Sequence, residues 1–181
     1  MTLASAPLAV HRFVTDQDQR LMRRVEHWRP PRWVRWWMVA ATKGGDGWMW
    51  YAQGAGLLLV GGSRRWAAVG STALACGIGI LTFQVLKRLI GRQRPSFSAR
   101  RDWTRLLPPD EFSFPSGHTI TAFAFTMSVA RFYPDLLPWL LFCAVSVGAS
   151  RIVLGMHFLS DVLAGCAIGC SIGYFAGLVT L

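Results

Sequence analysis

Two stretches of this chain, residues 66–86 and 162–181, contain no charged side chain. Each meets the requirement of about 20 apolar residues for a helix that crosses a hydrocarbon core. Residues 112–130 also lack Asp, Glu, Lys and Arg, and 48–63 and 136–150 are shorter uncharged runs that flanking residues could complete. So many apolar blocks in 181 residues are hard to hide from water inside a soluble core. The expected fold is all-α: an integral membrane bundle of about six transmembrane helices over residues 32–181, preceded by an interfacial segment, residues 1–31.

The formal net charge of +10 would suggest nucleic acid in a soluble protein. Here the Lys and Arg residues gather between apolar blocks, where they meet lipid headgroups and set topology. No zinc-finger pattern or basic coiled-coil helix accompanies them, so the expected partner is the bilayer and not nucleic acid. Cys76, Cys143, Cys166 and Cys170 all fall inside apolar runs and read as small buried hydrophobes, neither disulfides nor metal ligands. Met1 to Val10 lacks the positive start and sustained apolar centre of a cleavable signal.

Thr15, followed by Asp16 and Asp18, predicts a helix start with acids on the positive end of the dipole. Leu21, Met22, Val25 and Trp28 then oppose Arg20, Arg23, Arg24 and Glu26, which suits a helix lying in the membrane interface and stopped by Pro30-Pro31. Trp33, Trp36 and Trp37 form an aromatic cluster at headgroup level. Residues 32–43 form a short run interrupted by Arg35, which predicts a tilted or paired short helix in place of a full first span. Gly44-Gly45-Asp46-Gly47 is a turn by composition; Asp46 reads first as a turn former and second as a functional acid. Further spans begin at Trp48, Trp66, Ser116, Pro134 and about His157. Ser96 to Phe114 is the one long polar loop, of the kind that carries function. Gly165, Gly169, Gly173 and Gly177 recur every fourth residue and give the last helix a smooth face. That face serves internal packing in the commoner case and a homodimer in the other.

Three islands carry the chemistry: Lys87-x6-Arg94-Pro95, Pro115-Ser116-Gly117-His118, and Ser150-Arg151-x5-His157-x3-Asp161. His157 and Asp161 are spaced i, i+4, which on a helix puts them on one face. An Asp bonded to one imidazole nitrogen fixes the tautomer and leaves the other nitrogen as a nucleophile. A structural hydrogen-bonded pair is the plainer alternative. Ser116 is a candidate N-cap on a helix whose first backbone N–H groups can hold an anion, with Gly117 allowing close approach and His118 beside it as a proton donor. A capped helix start with an interfacial histidine is the alternative there. Lys87, Arg94 and Arg151 would surround a phosphate, whereas Arg88 and Arg92 read as headgroup anchors. His11 and His27 read as surface residues.

This pattern, K-x6-RP, PSGH and SR-x5-H-x3-D, resembles the type 2 phosphatidic acid phosphatase superfamily in order and at every motif position. The resemblance implies that His157 is a nucleophile forming a phosphohistidine and that Asp161 orients it. It implies that His118 protonates the leaving alcohol and later helps activate water. Lys87, Arg94, Ser116, Gly117 and Arg151 would bind the phosphate, with no metal and no cofactor. The implied substrate is a lipid phosphate or pyrophosphate monoester, undecaprenyl pyrophosphate first, phosphatidylglycerophosphate or phosphatidic acid after it. A lipid phosphotransferase using the same site and a non-catalytic membrane protein are the competing classes; a soluble vanadium haloperoxidase is opposed by the spans.

Six spans would put the N-terminus, Arg64-Arg65, Arg131 and the C-terminus on one membrane face. The active-site loops would occupy the other. Ten Lys and Arg residues then lie on the termini side against nine on the site side, three of the nine being assigned to phosphate. Positive-inside reasoning thereby leans towards cytoplasmic termini and a site that faces outward. The resemblance, many of whose bacterial members work on the periplasmic face, implies a bacterial inner-membrane protein with its site towards the periplasm.

Overall fold

A computed structural model of the chain describes residues 6–95 and 111–180. Most of the polar loop singled out above, residues 96–110, lies outside the described residues, as does His11 for its side chain. Seven α-helices follow in order: α1 (Ala6–His27), α2 (Arg32–Gly45), α3 (Trp48–Val60), α4 (Arg65–Ile90), α5 (Gly117–Phe132), α6 (Leu137–Val153) and α7 (Leu159–Val179). Short 3-10 turns at Gly62–Arg64 and Pro134–Leu136 join α3 to α4 and α5 to α6. The all-α membrane architecture is therefore as expected. Three helical stretches, Gly62–Ile90, Pro134–Val153 and Leu159–Val179, are long and apolar enough to cross a membrane by length and composition. The count of about six is not reached by that measure, since α2, α3 and α5 have 14, 13 and 16 residues.

Helix α5 is the centre of the bundle. Ile120, Ala122, Phe123, Phe125 and Val129 are buried, and Trp50 of α3 and Leu140, Cys143, Ala144 and Val147 of α6 complete one core cluster. Polar side chains on α5 are matched across the helix contact: Ser128 shares its hydroxyl with Ser71 at 2.8 Å and accepts from Thr72 at 3.2 Å. In an apolar surrounding such pairing removes the cost of a buried hydroxyl.

The glycine stripe of α7 lies against α5 of the same chain, so it serves internal packing. A Cβ at Gly165 would lie 2.9 Å from the Ser116 carbonyl oxygen, and one at Gly169 would lie 2.5 Å from that of Ile120. Backbone cannot yield as a side-chain tip can. Gly169→Ala is therefore expected to lower stability in detergent by about 1–3 kcal/mol, as overpacking does. Gly77→Ala on α4, where a Cβ meets nothing within 4 Å, is the matched control and should leave the thermal midpoint unchanged. Equal midpoints for the two variants would contradict the close packing.

The bundle has two distinct ends. At one, Tyr133 donates to the Gly61 carbonyl at 2.7 Å, and the Arg131 side chain lies beside Gly177 and over the Tyr174 ring. Asp46, Lys87, Ser116, Arg151, His157 and Asp161 belong to the other. Helices α3 to α7 alternate between these ends. Helix α2 also lies at the second end: Met38 packs with Leu154 and Met156, the Thr42 hydroxyl accepts from Arg151, and Gly45 lies against Val147 and His118.

Helix α1 departs from expectation in two respects. It begins at Ala6, with Pro7 in its first turn where proline is tolerated, so Thr15 caps nothing and Asp18 sits in mid-helix. Asp18 is also buried, 3% exposed, and accepts from the Ser160 backbone N–H at 3.0 Å and from Arg92 at 2.8 Å. Its neighbours Thr15, Gln19, Met22, Arg23 and Glu26 line one wall of a cavity of about 750 Å³ whose other wall includes Arg92, Arg94 and Phe158. Of the expected apolar side Met22 is buried while Trp28 is 45% exposed, and of the expected polar side Arg20, Arg23 and Arg24 are exposed. Helix α1 thus lies across the end that carries the site, whereas six alternating spans would have put it at the opposite end.

Candidate active site

The chain leaves α6 through a turn that His157 occupies. Arg151 is on the last turn of α6, and its carbonyl accepts from the Met156 and His157 backbone N–H groups at 2.9 and 3.1 Å. Gly155 takes a φ of +70°, the left-handed region that glycine tolerates, which lets the chain double back. His157 is therefore fixed in a turn, ahead of α7, and does not share a helix face with Asp161 as the i, i+4 spacing suggested. The pair still meets: His157 Nδ1 is 3.6 Å from Asp161 Oδ2. That is longer than a hydrogen bond, and Nδ1 makes none within the chain.

Asp161 is wholly buried and held from several sides. Its Oδ2 accepts the Phe158 backbone N–H at 2.8 Å, capping the positive end of α7, and its Oδ1 accepts from Arg92 Nη1 at 2.7 Å. Arg92 also donates to Asp18 and Ser160 and lies 4.2 Å over the Phe158 ring. A carboxylate shielded from water is costly without such partners. Arg92 was read as a headgroup anchor; it instead turns inward and neutralises two buried acids. Its partners lie 69 and 74 residues away in sequence, so no local pattern could have indicated them.

His157 is 1% exposed. Burial pushes its pKa down to about 4 from the ordinary 6.5; Asp161 opposes that shift, while the charges of Arg151 and Arg94 reinforce it. At neutral pH the ring is uncharged and carries a lone pair. Both arginines are anchored close by. Arg151 is buried and donates to Thr42, and Arg94 donates to the Met156 carbonyl, one residue before His157, at 3.1 Å.

The Pro115–His118 island also turns out differently in detail. Ser116 occupies the N-cap position of α5 but makes no side-chain cap; its oxygen accepts the Thr119 hydroxyl at 2.9 Å. Its backbone N–H donates to the Asp161 carbonyl at 3.2 Å, joining the starts of α5 and α7. A Cβ at Gly117 would stand 3.0 Å from the Phe83 ring, and Lys87 Nζ lies 5.3 Å over that same ring. Glycine here lets α4 and α5 close, so that Gly117 and the buried Lys87 meet the same Phe83 ring. His118 is partly exposed, and its Nε2 lies 2.6 Å from Asp46 Oδ1. Asp46 lies in a turn, as its glycine context predicts, and its side chain in addition reaches His118.

The eight residues singled out from sequence thus gather at one end of the bundle: Lys87 on α4, Arg94 after it, Ser116, Gly117 and His118 at the start of α5, Arg151 on α6, His157 in the following turn and Asp161 on α7. Asp18, Thr42, Phe83, Arg92 and Thr119 support them and were not singled out. Among the described residues, no three His, Cys, Asp or Glu side chains come together as a metal site would need.

The sequence pattern of the PAP2 superfamily matches residues 66–180. The chain is 37% identical over 107 residues to phosphatidylglycerophosphatase B of Bacillus subtilis, covering 53% of this chain and 50% of that protein. It is 34% identical over 128 residues to decaprenylphosphoryl-5-phosphoribose phosphatase of Mycobacterium tuberculosis, covering 70% of this chain and 68% of the relative. The chain spans about half the length of curated relatives such as the Bacillus one. Among solved structures, it resembles the transmembrane PAP2-type phosphatidylglycerolphosphate phosphatase of Bacillus subtilis, with a TM-score of 0.71, 27% identity, and coverage of 93% of this chain and 87% of that one.

Proposed function

The chain belongs to the PAP2 superfamily, and on that premise we propose that it is a membrane phosphatase acting on lipid phosphates through a phosphohistidine at His157. The observation that carries the reading is the state of His157: buried, uncharged at neutral pH, and close to the cations of Arg94 and Arg151. A histidine kept unprotonated beside fixed positive charge suits a nucleophile that must attack a phosphorus whose oxygens are negative.

In the first step the lone pair of His157 forms a bond to phosphorus as the bond to the lipid oxygen breaks. His118 gives its proton to that oxygen, so the alcohol or lipid phosphate leaves neutralised. Lys87, Arg94, Arg151 and the backbone N–H groups at the start of α5 hold the charge spread over the equatorial oxygens. In the second step water attacks the phosphohistidine while His118 takes its proton, and phosphate and the free histidine result. Asp161, held by Arg92 and the Phe158 N–H, steadies the imidazolium that is linked to phosphorus.

The substrate class we favour is a phosphate or pyrophosphate ester of a polyprenyl alcohol, undecaprenyl pyrophosphate included. Support for a polyprenyl-linked substrate comes from the name of the decaprenyl-linked relative, whose phosphate is on a ribose and which is matched over 68% of its length. Support for the pyrophosphate comes from an undecaprenyl-diphosphatase of Sulfolobus acidocaldarius, 28% identical and matched over 67% of its length. Phosphatidylglycerophosphate follows, from the Bacillus relative. A phosphate-release panel over these lipids in detergent is the direct test, and release from none of them would overturn the proposal.

Cations arranged for a phosphoryl group in flight should also hold vanadate, which takes up the same trigonal-bipyramidal form. Turnover is expected to persist in excess EDTA and to be inhibited by vanadate. Loss of turnover in EDTA with recovery on adding magnesium would contradict the site as described.

A further inference from the structure

The Gly44–Gly47 turn is built to bring a carboxylate to His118. The turn closes through its backbone alone: the Asp46 N–H donates to the Lys43 carbonyl at 3.2 Å and the Gly47 N–H to the Gly44 carbonyl at 3.3 Å. Asp46 itself has φ −67° and ψ −2°, a conformation open to any residue, so the turn has no need of an aspartate side chain. Its glycines have separate reasons. Gly47 takes φ +131°, where other residues are strained, and a Cβ at Gly45 would lie 3.3 Å from His118 Cδ2 and 3.0 Å from Val147. A larger residue at position 45 would hold the turn away from the imidazole. What the close approach achieves is the 2.6 Å contact between Asp46 Oδ1 and His118 Nε2.

We propose that Asp46 is a positioning residue for the proton donor His118, acting through its Nε2. The inference rests on the reading of His118 as the general acid. A carboxylate at Nε2 keeps a proton on that nitrogen and leaves Nδ1 as the atom that exchanges protons with substrate. When the bond from phosphorus to the lipid oxygen breaks, the Nδ1 proton goes to that oxygen and the ring remains as the Nε2–H tautomer. When water later attacks the phosphohistidine, Nδ1 takes up a proton and the ring returns to its starting state. Asp46 touches neither substrate nor phosphorus. The role parallels that of Asp161 towards His157, so each catalytic imidazole has its own orienting carboxylate.

A positioning role and a merely structural one differ in how the loss depends on the leaving group. Asp46 is half-exposed, which makes Asp46→Asn a mild change to the fold, and Asp46→Ala replaces it if the Asn variant is not monodisperse. With a long-chain alkyl phosphate, whose alkoxide must be protonated as it leaves, kcat of Asp46→Asn is expected to fall about 10- to 100-fold while KM changes less than about threefold. With nitrophenyl phosphate, whose anion leaves without help, kcat/KM, which reads only the steps up to the phosphohistidine, should fall less than about threefold. Asp46→Glu should recover part of the lost kcat on the alkyl substrate. Equal losses of kcat/KM on both substrates, a loss on the alkyl substrate carried by KM, or no loss at all would each overturn the assignment. If the unmodified protein releases phosphate from neither substrate, the phosphatase reading falls and this inference with it; if it does release phosphate and Asp46→Asn shows no leaving-group dependence, only this inference falls.

Discussion

His157→Ala is expected to reduce phosphate release to background, a loss on the order of 10⁴-fold or more, and to remove any acid-labile phosphate attached to the protein during turnover. The expectation follows from the division of labour at the site. Lys87, Arg94 and Arg151 can bind a phosphoryl group without His157, but none of them can accept it covalently. Binding of vanadate should therefore survive better than turnover does. Asp161→Asn is expected to lose less, since the Asn oxygen can still accept the Phe158 N–H while the charge facing Arg92 and His157 is gone. The acid limb of kcat/KM gives a second check. Lowering the pH protonates the lone pair only as it passes the pKa of His157, which burial holds near 4. That limb should accordingly lie well below 6.5, the midpoint of an ordinary histidine. Turnover that survives in His157→Ala would remove the phosphohistidine from the mechanism.

What the sequence revealed, and what it hid, divides by the distance over which the information is stored. Uncharged runs at 66–86 and 162–181 mark α4 and α7 because hydropathy is a local property. The eight motif residues were legible because their chemistry is written in residue type and spacing. Arg92, Asp18 and Asp46 were not. Each sits in a local context with an adequate plain explanation: a cation at a membrane helix end, an acid near a supposed helix start, an aspartate between glycines. Their partners are Asp161, Ser160 and His118, some 70 to 140 residues away, and only the folded chain brings them together. The helix start at Ala6 had a local sign that Thr15 outweighed, namely Pro7, which is pre-organised for a first helical turn. The supposed shared helix face of His157 and Asp161 failed for a local reason too. Gly155 bends the chain before α7 begins, so the residues meet across a turn and not along a helix.

The end of the bundle that carries α1 changes the charge balance from which the membrane face of the site is predicted. The sequence-based balance put ten Lys and Arg residues on the termini side and nine on the site side, and it assumed that the N-terminal helix lay opposite the site. Asp18 bound to Arg92 and Ser160 places α1 with the site. Its arginines, Arg12, Arg20, Arg23 and Arg24, change sides, and Arg29, Arg32 and Arg35 lie between it and Met38, which packs on Leu154 and Met156 at the site end. Among the described residues that leaves three basic residues, Arg64, Arg65 and Arg131, at the far end against thirteen at the site end. Setting aside Lys87, Arg94 and Arg151 for phosphate and Arg92 for its two acids still leaves nine at the site end. Positive-inside reasoning now favours a site that opens to the cytoplasm, the reverse of the sequence-based expectation. The test uses single cysteines in a cysteine-free background at two exposed positions: Glu111 beside the site and Ser63 at the far end. In intact bacterial cells with a permeabilised outer membrane, a membrane-impermeant thiol reagent should label Ser63→Cys and leave Glu111→Cys unmodified until the inner membrane is opened. The opposite pattern would return the site to the outer face. A cytoplasmic site would draw on lipid phosphates as they are synthesised in the inner leaflet, so the labelling result also narrows which substrates the enzyme can meet.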